Sequence, residues 1–180
     1  PFVRKRRDVE LKVVNGVIQP DTEQDAIMVS VLERFGKNGN KSLAFCSGWK
    51  LKNGAMASTC APDDNNLVVM GSSAEDMSIA VNHLIEQGGG QVVVENGKVI
   101  EFLPLPVGGI VSDEEPEVIA ELEKKIDEAA RRIGSDLPNP MMYMFFLPIT
   151  AIPDYALTDV GPVDYCALTT YDPVLELVEE

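Results

Sequence analysis

The residues with the most chemistry per unit length are Asp63-Asp64-Asn65-Asn66, two carboxylates and two amides in succession. Oxygen donors so grouped could hold a cation or hydrogen-bond a polar ligand. Pro62-Asp63-Asp64-Asn65 is also good turn chemistry, and the residues alone leave both readings open. The only histidine is His83. It falls off the apolar stripe of its helix and reads as an exposed helical residue. A single histidine and no cysteine pair rule out a multi-histidine metal site. A Ser-His-Asp triad would have to use His83, and no G-x-S-x-G elbow is present. Gly88-Gly89-Gly90 follows a helix, whereas phosphate cradles precede one. Ser112-Asp113-Glu114-Glu115 is most simply an acid-rich helix start that complements the dipole.

The elements that must position these residues can be read from spacing. Residues 9–14 are β-prone, and Asn15-Gly16 before Val17-Ile18 closes a hairpin. Residues 26–35 are rich in β-branched side chains and pair back, through a glycine-containing turn, with residues 42–49 as a second hairpin. Residues 55–59 are small and admit close approach of another backbone or a ligand. Leu67-Val68-Val69-Met70 is apolar without alternation, which predicts a strand buried on both faces. Ser72 with Glu75 fits a capping box, and Met77, Ala80, Val81, Leu84 and Ile85 fall on one helical face before the glycine stop. With a strand over residues 91–95 this predicts a βαβ unit with a parallel pair. Asn96-Gly97 then reverses the chain into residues 98–103. Pro116 starts a second helix with Val118, Leu122, Ile126, Ala129 and Ile133 as its stripe. Residues 141–147 read as a core strand, and residues 148–180 as an extended segment wrapping the body. The expected class is α+β: a mixed sheet with a central βαβ unit, β-hairpins and two main helices packed on the sheet, in a single domain over residues 1–180.

Composition narrows the partners. The chain has 180 residues, 45% of them hydrophobic and 24% charged, and a formal net charge of −14. Residues 1–60 carry ten Lys/Arg against six Asp/Glu, and residues 61–180 carry five against twenty-three. An acidic body repels nucleic-acid backbones and anionic membranes, so neither is expected as a partner. The split in charge would suit self-association into a homo-oligomer. Arg4-Lys5-Arg6-Arg7 reads as a solvated edge or a contact to an acidic surface. Cys46, Cys60 and Cys166 are odd in number and widely spaced, which suits a reducing cytoplasm. No apolar run approaches the roughly 18–20 residues of a spanning helix. The chain starts at Pro1 and so reads as a processed form or a piece of something longer.

The stretch from Gly48 to Ser58, GWKLKNGAMAS, resembles "GFGLKRGAIAS" in the C-terminal domain of bacterial adenine deaminases of the amidohydrolase superfamily. The likeness extends from Arg34-Phe35-Gly36-Lys37-Asn38-Gly39-Asn40 (family "RHGKTGN") through Asn66 to Gly71, Glu75-Asp76-Met77, the three glycines, Asn96-Gly97 and Leu103 to Pro106, and reaches Leu157-Thr158-Asp159 and Val163-Asp164. It implies a parent enzyme that hydrolyses adenine to hypoxanthine and ammonia with a metal-activated water. The implied metal, Mn or Fe, belongs to a (β/α)₈ barrel that precedes this domain, as a domain or a separate subunit. No cofactor and no catalysis are therefore expected of these 180 residues alone. The alternative is a stand-alone, non-catalytic purine-binding or interaction module. The family loop "AHDSHN" is here Ala61-Pro62-Asp63-Asp64-Asn65-Asn66, with Pro62 and Asn65 in place of both histidines. Only Asp63 and Asn66 carry over as substrate-binding candidates.

Overall fold

A computed structural model describes residues 3–176. A short ribbon of β1 (Val13–Val14) and β2 (Val17–Ile18) turns at Asn15-Gly16, as the sequence predicts. Strands β3 (Ile27–Leu32) and β4 (Lys41–Cys46) form the expected second hairpin. Then come β5 (Ala55–Ser58), β6 (Leu67–Gly71), helix α1 (Ala74–Gln87), β7 (Gly90–Glu95) and β8 (Lys98–Pro104). Helices α2 (Pro116–Arg132) and α3 (Pro140–Phe145) follow, and β9 (Tyr155–Thr158), β10 (Gly161–Asp164) and β11 (Thr169–Thr170) make a small three-stranded sheet.

The main sheet has the order β4-β3-β6-β5-β7-β8, and every neighbouring pair is antiparallel. The α+β class stands, but the sheet is not mixed. Strands β6 and β7 do run in one direction on either side of α1, yet β5 lies between them and pairs with both. The unbroken apolar run of β6 records cover on both faces, which a central antiparallel strand between two helical layers also has. One core joins β3, β5 and β6 to Ile126, Ala129 and Ile133 of α2, to Met141 and Met144 of α3, and to Trp49 and Leu51. The other joins Ala55, Ala57, Val69, Val92 and Val94 to Met77, Ala80 and Leu84 of α1. The small residues of β5 are fully buried, and the sheet closes tightly there. A Cβ on Gly71 would lie 2.7 Å from the Ala55 Cβ.

Three local expectations are corrected. The α1 cap is Ser73, whose hydroxyl accepts from the Asp76 N–H at 3.3 Å, while Ser72 donates to the Gly54 carbonyl. The register of the buried face then leaves Ile85 66% exposed. Residues 141–147 are not a strand, because Pro140 opens α3 and Met141 and Met144 share one turn-spaced buried face. The extended tail is organised as the strands β9, β10 and β11, and its last residues lie outside the described range. In the basic run Lys5, Arg6 and Arg7 are exposed, as a solvated edge would be, whereas Arg4 is half-buried. The Arg4 guanidinium donates to the Phe146, Leu147, Ile149 and Ile152 carbonyls, tying the chain start to the end of α3. These acceptors are backbone carbonyls, not an acidic surface.

Candidate functional site

The antiparallel register collects six strand ends at one edge of the sheet: the exits of β3, β5 and β8 and the entries of β4, β6 and β7. The loop over residues 59–66 is therefore the turn of the β5–β6 hairpin, held among the loops that follow β3 and β8. Asn65, at φ 52°, closes it twice: its N–H donates to the Ala61 carbonyl at 2.9 Å, and its side-chain oxygen accepts from the Ala61 N–H at 3.2 Å. Asn66 is buried, with its side-chain N–H donating to Asp64 Oδ2 at 2.9 Å and its backbone N–H to Asp64 Oδ1 at 3.1 Å. Its Oδ1 is buried with no donor, a state that costs about 1–3 kcal/mol. Asp63 is exposed and makes no hydrogen bond among the described residues. Of the four polar residues, Asp64 and Asn65 thus build the loop, and Asp63 is left facing outward.

Residues outside the loop fix it to the sheet. Arg34, just past β3, donates from Nε to the Asn65 carbonyl at 2.6 Å and from Nη2 to the Gly108 carbonyl at 2.8 Å. Its guanidinium also lies 4.6 Å from the Phe35 ring centroid, a cation–π distance. Burial lowers its pKa, and its charge partly offsets the desolvation that raises the Cys60 thiol. Thr59 spans the other side, donating to the Gly109 carbonyl at 2.6 Å and accepting from the Gly90 N–H at 2.8 Å. These bonds require two backbones to touch. A Cβ on Gly89 would sit 2.4 Å from the Gly109 Cα, and one on Gly109 would sit 2.8 Å from Arg34 Nη1. The Glu33 carboxylate organises the adjoining turn by accepting from the N–H groups of Phe35, Lys37, Asn38 and Gly39, at 2.6, 3.0, 3.3 and 3.2 Å. Desolvation raises its pKa, but the four donors outweigh it and hold the carboxyl below its ordinary value.

Most of the chain matches relatives whose names agree. A family model described as the adenine deaminase C-terminal domain matches residues 1–168. This chain belongs to that family. The domain is 72% identical over 177 residues to Adenine deaminase 1 of Desulfotalea psychrophila, covering 98% of this chain and 30% of that protein. It is 56% identical over 177 residues to Adenine deaminase 1 of Latilactobacillus sakei, again 98% of this chain and 30% of the relative. With Adenine deaminase 4 of Rhizobium meliloti the identity is 57% over 173 residues, 96% and 29% of the two chains. The adenine deaminase C-terminal domain thus spans about 30% of the length of these curated relatives.

Among the described residues no group of three or more His, Cys, Asp or Glu side chains gathers where it could hold an ion. His83, on α1, is half-buried rather than exposed. It meets Phe102 edge-on at 4.6 Å, and its Nε2 has no partner. Among the described residues no helix is long and apolar enough to cross a membrane. Arg34, Thr59 and Gly109 were not visible as site residues from spacing. The paired glycines at Gly88-Gly89-Gly90 and Gly108-Gly109 were the one available signal, since close backbone approach demands them.

Proposed function

We propose that this chain serves as the C-terminal domain of an adenine deaminase-type hydrolase, whose whole form converts adenine and water to hypoxanthine and ammonia. It is not catalytic by itself. Its partner is an amidohydrolase-type barrel, as a preceding domain or a subunit, and the catalytic Mn or Fe ions belong to that barrel. The reaction takes place in the cytoplasm, and the uneven charge of the chain suits assembly of more than one copy. The reading is carried by one observation: a family match over residues 1–168 in a chain that spans about 30% of relatives named adenine deaminase. To test it, the chain is assayed for adenine-to-hypoxanthine conversion with Mn²⁺, Fe²⁺ or Zn²⁺. In parallel, a chimera carries this chain in place of the matching part of the Desulfotalea psychrophila enzyme. Turnover is expected from the chimera only, and turnover by the chain alone overturns the proposal.

Asp63 and Asn66 are the substrate-binding candidates. Both carry acceptors, an exposed carboxylate on Asp63 and on Asn66 an amide oxygen that lacks a donor but is buried and is reached only when the loop opens, and the amino and ring N–H groups of adenine are donors. In the chimera, Asp63→Ala is expected to raise KM for adenine about tenfold, the loss of one hydrogen bond to a charged group. A KM within twofold of the parent removes Asp63 from the site. A second reading, a non-catalytic purine-binding or interaction module, is favoured by the work done at one of the two positions where the resemblance has histidines. Asn65 closes the loop on Ala61. An adenine-dependent rise in melting temperature of the isolated chain, with an inactive chimera, would select that reading.

A further inference from the structure

We infer that the sheet end around the loop of residues 59–66 is the surface on which the rest of the adenine deaminase polypeptide docks. The inference rests on the proposed function for the nature of the occupant, and on the surface itself for the location. Five exposed apolar side chains meet the solvent at or beside this end. Phe35 is 50% exposed, Val107 53% and Val111 52%, joined by Ile110 and by Val118 near the start of α2. Their segments are 70 or more residues apart in sequence, yet one residue fastens them. Arg34 stacks on Phe35 and donates to the Gly108 carbonyl, so the Phe35 ring, the guanidinium and the 107–111 turn form one continuous layer. Asp63 and Asp64 flank it, and Asp113, Glu114 and Glu115 continue beyond Val111.

An apolar centre beside acidic groups, with its backbone already pinned, has the composition of a docking patch and needs little reordering on binding. The occupant it fits is apolar at the centre, carries Lys or Arg opposite the acidic groups and an acid opposite Lys37, whose Nζ lies 5.9 Å from the Phe35 ring centroid. About 70% of the length of the closely matching relatives lies outside the matched segment, which is more than enough chain to supply that surface. Leu43, Ile85 and the ribbon valines are less suited. Leu43 on β4 and Ile85 on α1 are single large exposed side chains on their elements. The exposed valines of the β1–β2 ribbon, Val13, Val14 and Val17, sit on a two-residue pairing.

Hydrogen exchange in the chimera described above, compared with this chain alone, tests the surface. Exchange at residues 33–40, 60–66 and 105–118 is expected to slow at least about tenfold in the chimera, with residues 41–46 and 74–87 unchanged. Protection concentrated on β4 or on the outer face of α1, or no difference at the loop end, overturns the inference. The double substitution Phe35→Glu with Val111→Asp is expected to restore fast exchange at the loop end while the melting temperature of the chain alone stays within about 2 °C. Should that variant not fold, the comparison of the unsubstituted proteins still decides. An active chimera without loop-end protection defeats the docking surface and leaves the functional reading intact. An inactive chimera with such protection does the reverse.

Discussion

Replacing Arg34 by alanine isolates the device that holds the candidate loop. Two hydrogen bonds from a charged donor are lost, to Asn65 at 2.6 Å and to Gly108 at 2.8 Å, together with the stack on Phe35. Fully buried, such bonds contribute about 1.5–3 kcal/mol each. The Gly108 carbonyl is exposed and can turn to water, so its share falls to about 0.5 kcal/mol, and the exposed stack adds about 0.5 kcal/mol. The bond to half-buried Asn65 keeps about 2 kcal/mol. The total is about 3 kcal/mol, which at about 2–4 °C per kcal/mol for this chain length lowers Tm by about 6–12 °C. Differential scanning calorimetry measures it. Arg34→Lys keeps the charge but loses the fork, since an ammonium is a point donor, and about 2 kcal/mol of the loss is expected to remain. Hydrogen exchange at Asn65 and Asn66 should rise in both variants. A Tm within 2 °C of the parent for Arg34→Ala, or an Arg34→Lys protein that melts like the parent, would refute the claim that Arg34 fastens the loop.

Other outcomes follow from the same geometry. Thr59→Val leaves the Gly109 carbonyl and the Gly90 N–H unpaired in a buried place, and urea titration should show a loss of about 2–3 kcal/mol. Gly89→Ala puts a Cβ 2.4 Å from the Gly109 Cα at φ 124°, so a loss of about 3 kcal/mol or more is expected by the same titration. Glu33 supplies a pH signature. Its folded pKa lies below the ordinary 4.5, so its contribution is fully present above pH 4.5 and is lost as pH falls through the folded value. Glu33→Gln should therefore flatten the acid side of a Tm-against-pH curve below about pH 4.5, and an unchanged slope would contradict the assignment. Met141→Ala, which empties a core position of α3, should cost about 2–5 kcal/mol, whereas Met142→Ala, 39% exposed, should cost far less.

Residue types and turns carried the elements well, and partner choice poorly. Asn15-Gly16 and Asn96-Gly97 have the backbone the hairpins need, with both residues of each pair at positive φ, so the turns could be placed from two letters. The strand order could not. Nothing local to Leu67-Val68-Val69-Met70 distinguishes a parallel neighbour from an antiparallel strand slotted between β6 and β7. Burial on both faces is common to the two. At α3 the apolar run outweighed the Pro140 start signal, although Met141 and Met144 are spaced for a helix. The loop of residues 61–66 was legible as polar and turned, while its anchorage was not. Arg34 reaches it across 31 positions and Thr59 reaches Gly109 across 50, distances over which no spacing rule operates.

The placement of β5 also bears on how the chain acquires its structure. Residues 55–94 form a contiguous block in which β6 folds back on one edge of β5 and β7, delivered by α1, closes the other. Within it the β5–β6 hairpin pairs residues only 10 to 16 apart, whereas β5 and β7 pair residues 33 to 39 apart, so the hairpin is the local nucleus of the block and β7 joins it only after the larger α1 crossover has closed. The loop of residues 59–66 is the first reversal of that nucleus. Substitutions at Asn65 should then slow refolding with φ-values near 0.5–0.8, while those in β9 or β10 mainly speed unfolding. Stopped-flow chevrons compare the two regions. Sequence drift in this loop is thus constrained by folding speed as well as by any ligand it meets.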